Sequence, residues 1–247
     1  MKRRTLIAAM LACLVGAQFA YAEQKQVIVG TEIANKPFVF TRDDKYTGFS
    51  YDLWVEIAKE IGVTYQIRAM DFSALIPAIQ TNNIDVAFSS IFITPKRKEV
   101  VDFSDPYYMD GTGVLVPSGS SIRTIKDLAG KKVASMTGAA QVAWIKDNLP
   151  TADQTQFPVV TDAFFALQAG RVDAILYDYP TLAYYESTEG KGKVQLLDEH
   201  AGADVPCGFA FPKGSTLVGP TNEALKKIRA DGRYDALSRK WFGKSAS

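Results

Sequence analysis

Two kinds of segment alternate along this chain. Short strand-like runs, Val27–Gly30, Tyr65–Ala69 and Val86–Ser89, are separated by stretches whose apolar residues recur every three or four positions. Leu53, Ile57 and Ile61 share one side of the stretch Asp52–Ile61, and Glu56, Lys59 and Glu60 take the other. That pattern predicts a helix laid on a sheet, and Ser73–Gln80 predicts a second. The alternation returns further on. Lys132–Met136, Thr155–Val160 and Ala174–Tyr177 read as strands, Ala140–Asn148 as a helix, and Asp162–Ala169 as a helix capped by Thr161. Two βαβαβ units follow, so the fold class is α/β with two lobes, each a parallel-type sheet flanked by helices.

The two units share residues as well as rhythm. Gln80-x-x-x-Ile84-Asp85-x-x-Phe88-x-Ser90 matches Gln168-x-x-x-Val172-Asp173-x-x-Leu176-x-Asp178 at the same spacing. Ser90 and Asp178 are therefore equivalent positions, each just past the carboxyl end of a buried strand. Ligands of open parallel sheets bind outside those ends. Tyr107–Gly111 leaves the first unit and Asp204–Gly208 the second, and both short segments contain glycine; they read as paired hinge crossovers. Residues 112–203 then form the second lobe. The helix predicted near Val218–Ile228, and a shorter one ending at Trp241-Phe242-Gly243, return to complete a first lobe made of residues 23–106 and 209–247.

One corner concentrates polar chemistry. The run ending in Ser89 and Ser90 is followed by Thr94 and Pro95, the cap and first-position signals of a helix whose opening turn carries Arg97. Backbone N–H groups, serine hydroxyls and a five-donor guanidinium suit a small carboxylate. Asp178, from the other unit, either starts a turn before Tyr179-Pro180 or offers its carboxylate to an ammonium. A ligand carrying both groups fits between the two.

Composition narrows the class. The 247 residues, 47% of them hydrophobic, are enough for two lobes with real cores. Met1-Lys2-Arg3-Arg4, the apolar Leu6–Val15 and Ala20-Tyr21-Ala22 form a signal-peptide pattern with cleavage expected after Ala22. Without Lys2, Arg3 and Arg4 the 28 basic residues become 25 against 27 acids, a net charge near −2 that points to no nucleic-acid partner. No later stretch is long and apolar enough to span a bilayer, so no stable membrane insertion is expected. Cys207 remains alone after cleavage, which leaves no internal disulfide, and a single histidine, His200, argues against His-rich metal sites and His-based catalysis.

Several blocks in order carry a resemblance: Pro37-Phe38-x-Phe40, Asp44-Lys45-Tyr46-x-Gly48-Phe49-x-x-Asp52-Leu53-Trp54, Met70-Asp71-Phe72-Ser73, Ile93 to Tyr108, Phe211-Pro212-Lys213-Gly214-Ser215, and Lys240-Trp241-Phe242-Gly243. With them the mature chain resembles the amino-acid-binding class of bacterial periplasmic solute-binding proteins, its glutamine-binding branch most of all. The resemblance implies a two-lobed periplasmic-binding-protein fold with ligand in the inter-lobe cleft. It further implies a periplasmic monomer without cofactor, metal or catalytic residue, which captures an L-amino acid and delivers it to an inner-membrane ATP-binding-cassette permease. By position, Arg97 would grip the α-carboxylate with backbone groups near Ser89, Ser90 and Phe92 and the Thr137–Ala140 turn. Asp178 would hold the α-ammonium, and Phe72 would wall the pocket. The departures fall where a side chain would be read. Asn35 stands where the family usually has an aromatic and Phe92 where a hydroxyl is common. Met136, Tyr177 and Glu32 stand where the glutamine-binding branch has lysine, histidine and aspartate, while Ala139 and Ala140 lack a hydroxyl that some relatives have. Glutamine is the first expectation for the ligand. An enzyme similar to cyclohexadienyl dehydratase and a sensor module for a membrane receptor are the alternatives on this fold.

Overall fold

A computed structural model describes residues 26–245. The signal-peptide pattern and its cleavage site lie outside the described residues. The first five-stranded sheet runs, in spatial order, Tyr65–Ala69, Val27–Thr31, Val86–Ala87, Ala210–Phe211, Asp102–Phe103. The second runs Asp153–Phe157, Lys132–Met136, Ala174–Asp178, Thr112–Pro117, Val194–Leu196. In each, three parallel strands built from a βαβαβ unit are followed by an antiparallel one, so the sheets are mixed rather than wholly parallel.

The sequence repeat has a mechanical meaning. The Asp85 carboxylate accepts the Ile28 amide at 2.8 Å while its own amide donates to the Ile28 carbonyl. Asp173 does the same to Lys132, also at 2.8 Å. Each aspartate thereby pins the start of its unit's third strand to the first, and the strand delivers its end, Ser90 or Asp178, to the cleft.

Local chemistry moves some element boundaries. The first long helix spans Phe49–Ile61 and begins one turn before the apolar period suggests, because Gly48, at φ 122°, lets the chain turn directly under Phe38. A Cβ there would meet the Phe38 carbonyl oxygen at 2.3 Å, so glycine is required. The strand expected at Thr155–Val160 is Asp153–Phe157, and the helix after it is Val160–Gln168. Thr161 lies inside that helix, and Val159 occupies its cap position. The four-residue helix Pro95–Lys98 has the expected cap, with the Arg97 amide donating to the Thr94 hydroxyl at 3.2 Å.

Both chain ends meet on the first sheet. Helices Val218–Ala230 and Arg233–Phe242 pack on Phe49–Ile61, where Arg233 bonds Glu56 at 2.9 Å and Glu60 at 2.7 Å. Phe49 sits 4.9 Å from the Phe242 ring and 5.8 Å from Tyr108, so one aromatic cluster joins the N-terminal helix, a crossover and the C-terminal helix. The two crossovers pair as an antiparallel ribbon, Tyr108–Asp110 against Val205–Cys207. Phe49 is fully buried, so Phe49→Ala should cost about 3–5 kcal/mol, read as a lower urea midpoint at unchanged slope.

Candidate ligand-binding site

Between the sheets lies a small cavity of about 10 Å³, lined by Phe72, Ser90, Phe92, Arg97, Met136, Ala139, Ala140, Gln141, Tyr177 and Asp178. Ser90 follows its strand in the left-handed region, φ 47°, a conformation that turns the chain sharply at the strand end. Asp178 ends its own strand and precedes helix Tyr179–Ser187, whose first turn holds Pro180. Its side chain makes no cap bond to that helix and points to the cavity instead.

Asp178 is 4% exposed, and its contacts come from both sides of the cleft. One carboxylate oxygen accepts the Ser90 hydroxyl at 2.5 Å, and the other accepts the Gln141 amide at 3.1 Å. Gln141 also reaches the Thr112 hydroxyl, at 3.2 Å. Burial pushes Asp178 up to about 6, against the opposing effects of Ser90, Gln141 and the Arg97 charge.

Arg97 spans the cleft too. Its guanidinium donates to the Phe92 carbonyl at 2.8 Å on its own side and to the Gly138 carbonyl at 3.1 Å on the other, and lies 5.4 Å from the centre of the Phe72 ring. These two carbonyls use part of a five-donor fork. Burial draws the guanidinium's pKa down and Asp178 raises it; an arginine stays charged under such shifts.

Asn35, Ser89 and Glu32 do not line the cavity but stand directly behind it. Asn35 donates to the Ser90 hydroxyl oxygen at 2.9 Å and accepts the Thr181 hydroxyl at 2.7 Å, another bond across the cleft. Ser89 donates to Glu32 at 3.3 Å, and the Ala34 amide donates to the other Glu32 oxygen at 3.1 Å. Burial pushes Glu32 up to about 7, Ala34 and Ser89 hold it down, and Asp178 and Asp71 add to the rise. At the mouth, Lys36 meets Glu189 at 2.8 Å. On the apolar wall, the Tyr177 hydroxyl donates to the Met136 sulfur at 3.5 Å.

The structure thus brings Phe72, Ser90, Phe92, Arg97, Met136, Ala139, Ala140, Tyr177 and Asp178 together around one space. Sequence reasoning missed Gln141, Thr112 and Thr181. Gln141 carried a usable signal: it is a polar residue in the first turn of the predicted helix Ala140–Asn148, at the end that faces the cleft. Thr112 and Thr181 carried none, since their partners lie 29 and 146 residues away in sequence.

Two facing α/β lobes with a guanidinium on one side and a carboxylate on the other define a two-lobed solute-binding protein. The chain belongs to the bacterial extracellular solute-binding proteins, family 3, whose profile matches residues 27–244. It is similar to the arginine-binding extracellular protein ArtP of Bacillus subtilis, 31% identical over 95% of this chain and 92% of that one. It is also similar to the glutamine-binding protein GlnH of the same organism, 35% identical over 79% of this chain and 72% of that one. Among solved structures, the arginine-, lysine-, histidine-binding protein ArtJ of Geobacillus stearothermophilus superposes with a TM-score of 0.87 at 30% identity, covering 90% of this chain and 97% of that one.

The two raised carboxyls fix a pH dependence. Each binds its proton more tightly folded than unfolded, so their contribution is fully present below the ordinary range near 4 and is lost as pH rises through about 6 for Asp178 and about 7 for Glu32. Without added ligand, the melting temperature should fall between pH 4.5 and 7.5. Asp178→Asn should remove the part of that fall that is complete by about 6, and an unchanged profile in the variant would contradict the assignment.

Proposed function

We propose that this protein is the periplasmic binding component of an ATP-binding-cassette importer and closes two lobes over a polar L-amino acid. Lobe one would comprise residues 23–106 and 209–247, lobe two 112–203, with 107–111 and 204–208 as hinge crossovers. The observation that carries this reading is the placement of Arg97 and Asp178, from opposite lobes, on one cavity. A guanidinium bonds a carboxylate bidentately, and a carboxylate accepts several bonds from an ammonium, so the pair fits the invariant part of an α-amino acid. The zwitterion brings equal and opposite charges to equal and opposite partners. Binding both lobes at once shifts the open–closed balance towards closed.

Glutamine is the ligand we place first and arginine second. Glu32, behind Ser89 and with a pKa near neutrality, supports either: ionised, its charge favours a cation, and protonated, it leaves the pocket open to a neutral amide. Phe72, Phe92, Met136 and Tyr177 supply an apolar sleeve for the intervening methylenes. Among the relatives, ArtP is named for arginine, GlnH for glutamine, and ArtJ for arginine, lysine and histidine. Asp178 is the one carboxyl on the cavity wall among the described residues, and it has a binding role in this reading, so we assign no catalytic step.

A thermal-shift screen of the chain from Glu23, freed of bound ligand, against the common L-amino acids, prephenate and arogenate tests this directly. A ligand at 100 times its dissociation constant adds about 2.7 kcal/mol of stability. One or a few L-amino acids should raise the melting temperature, and turnover of prephenate or arogenate would overturn the reading. By calorimetry, Arg97→Ala and Asp178→Ala should each lose roughly 2–5 kcal/mol of binding, because each leaves the opposite ligand charge unpaired. Near-wild-type affinity in both would defeat the two-lobe assignment.

A further inference from the structure

One buried acid takes no part in the site just described. Asp110 ends the crossover strand Tyr108–Asp110, is 1% exposed, and has no hydrogen-bond partner for either carboxylate oxygen among the described residues. Gln141 and Thr112 form bonds around it, to Asp178 and to each other, without reaching it. A charged carboxylate left this way would forfeit several kcal/mol of hydration.

The groups that face Asp110 do not offer it a counter-charge. From the strand ending at the cleft come Asp178 and Tyr177, from the return crossover Asp204 and Cys207, and from its own crossover Tyr107 and Tyr108. Asp204 stands 3.7 Å from His200, and both flank Gly111. Burial and Asp178 push Asp110 well above the carboxylate range, and the neighbouring Gly111 amide offsets this only in part. Arg97, the cation of the site, acts on Asp178.

The opposite lobe closes on Asp178 and on the crossover strand paired with the one that bears Asp110. Ser90 bonds Asp178, and Phe92 bridges to Cys207 on the crossover that carries Asp110's paired strand. Rotation about the crossovers would therefore open and shut the seam beside Asp110. In the closed state the ligand carboxylate balances Arg97 and the ligand ammonium balances Asp178. One negative charge is left over.

We infer that Asp110 is a proton-binding site in the hinge, and that closure over an amino acid takes up a proton which stays on its carboxyl. The inference rests on the reading of the cleft as an amino-acid clamp. Its consequence is that capture is favoured by mildly acidic surroundings and release by a rise in pH. A like-charged pair is also spared, which keeps Asp178 ionised for the ammonium.

Calorimetry of the mature chain with L-glutamine and with L-arginine, in two buffers of different ionisation enthalpy between pH 6 and 7.5, counts the protons exchanged on binding. The wild type should take up about one proton more per ligand than Asp110→Asn, and its affinity should fall by up to about tenfold per pH unit where that of the variant stays flat. Asparagine imitates the protonated acid, so the variant should bind at pH 7.5 at least as tightly as the wild type. Glu32 and Asp178 also titrate near this range, so the difference between wild type and variant is the reading that counts, and Glu32→Gln should preserve it. Equal proton counts in wild type and Asp110→Asn would overturn the inference, as would a wild type that takes up none. If Asp110→Asn fails to fold, Asp110→Ser takes its place, and the wild-type and Glu32→Gln counts still decide. Failure of both amino acids to bind the wild type would remove the clamp reading and the inference with it; binding without the proton removes only the inference.

Discussion

A carboxylate withdrawn from water at the seam between two lobes is the constraint around which this structure is arranged. Asp178 rises from an ordinary 3.8 to about 6, which corresponds to roughly 3 kcal/mol of unfavourable burial despite its bonds to Ser90 and Gln141. A hydroxyl and an amide are neutral donors, each worth about 0.5–1.5 kcal/mol net. They hold the carboxylate in place without meeting its charge. An ammonium in the same place would meet it, and about 3 kcal/mol is a change of order a hundredfold in a two-state balance. The deficit at Asp178 is thus what a cationic ligand group would relieve on closure.

The architecture exists to bring that residue to the seam from a distance. Asp173 pins the strand bearing Asp178 to its sheet as Asp85 pins the strand leading to Ser90, so two copies of one device point two strand ends at each other. The aromatic cluster of Phe49, Tyr108 and Phe242 anchors one crossover to the body of the first lobe. Rigid bodies joined by a two-stranded ribbon have few ways to move relative to each other. The bonds across the cleft, from Arg97 to Gly138, Thr181 to Asn35, Ser90 to Asp178 and Lys36 to Glu189, are polar and exchange readily for water or ligand. Apolar residues of the two lobes, Phe72 of one and Met136 and Ala139 of the other among them, share one buried cluster beside these bonds.

Much of this was legible in the sequence because the repeat is carried by residues with local duties. The spacing Gln80 to Ser90 and Gln168 to Asp178 encodes a helix end, a pinned strand and a strand tip, and each is set by near neighbours. The Thr94–Pro95 signal likewise fixes Arg97 through one turn of backbone. Three things were not legible. Thr161 has the chemistry of a cap, but tertiary packing of Val160, Ala163 and Phe164 starts that helix two residues earlier. Glu32 and Asn35 were read as lining the pocket, yet the left-handed turn at Ser90 puts the serines in front of them. Gln141, Thr112 and Thr181 acquire meaning only when the lobes meet, and no pattern within either unit records that meeting.

The placement of the acids explains why the pocket's specificity is harder to read than its generic amino-acid grip. Arg97 and Asp178 both touch the cavity directly, and in the proposed reading they would act on groups every α-amino acid possesses. Glu32 acts from behind Ser89, through a hydroxyl that either donates to it or turns away. Its influence on a side chain is therefore a field and a possible proton rather than a fixed contact, and fields discriminate charge better than shape. Phe92, Met136 and Tyr177 supply shape on the facing walls without a charge of their own. A site divided this way would separate ligands by charge more sharply than by shape.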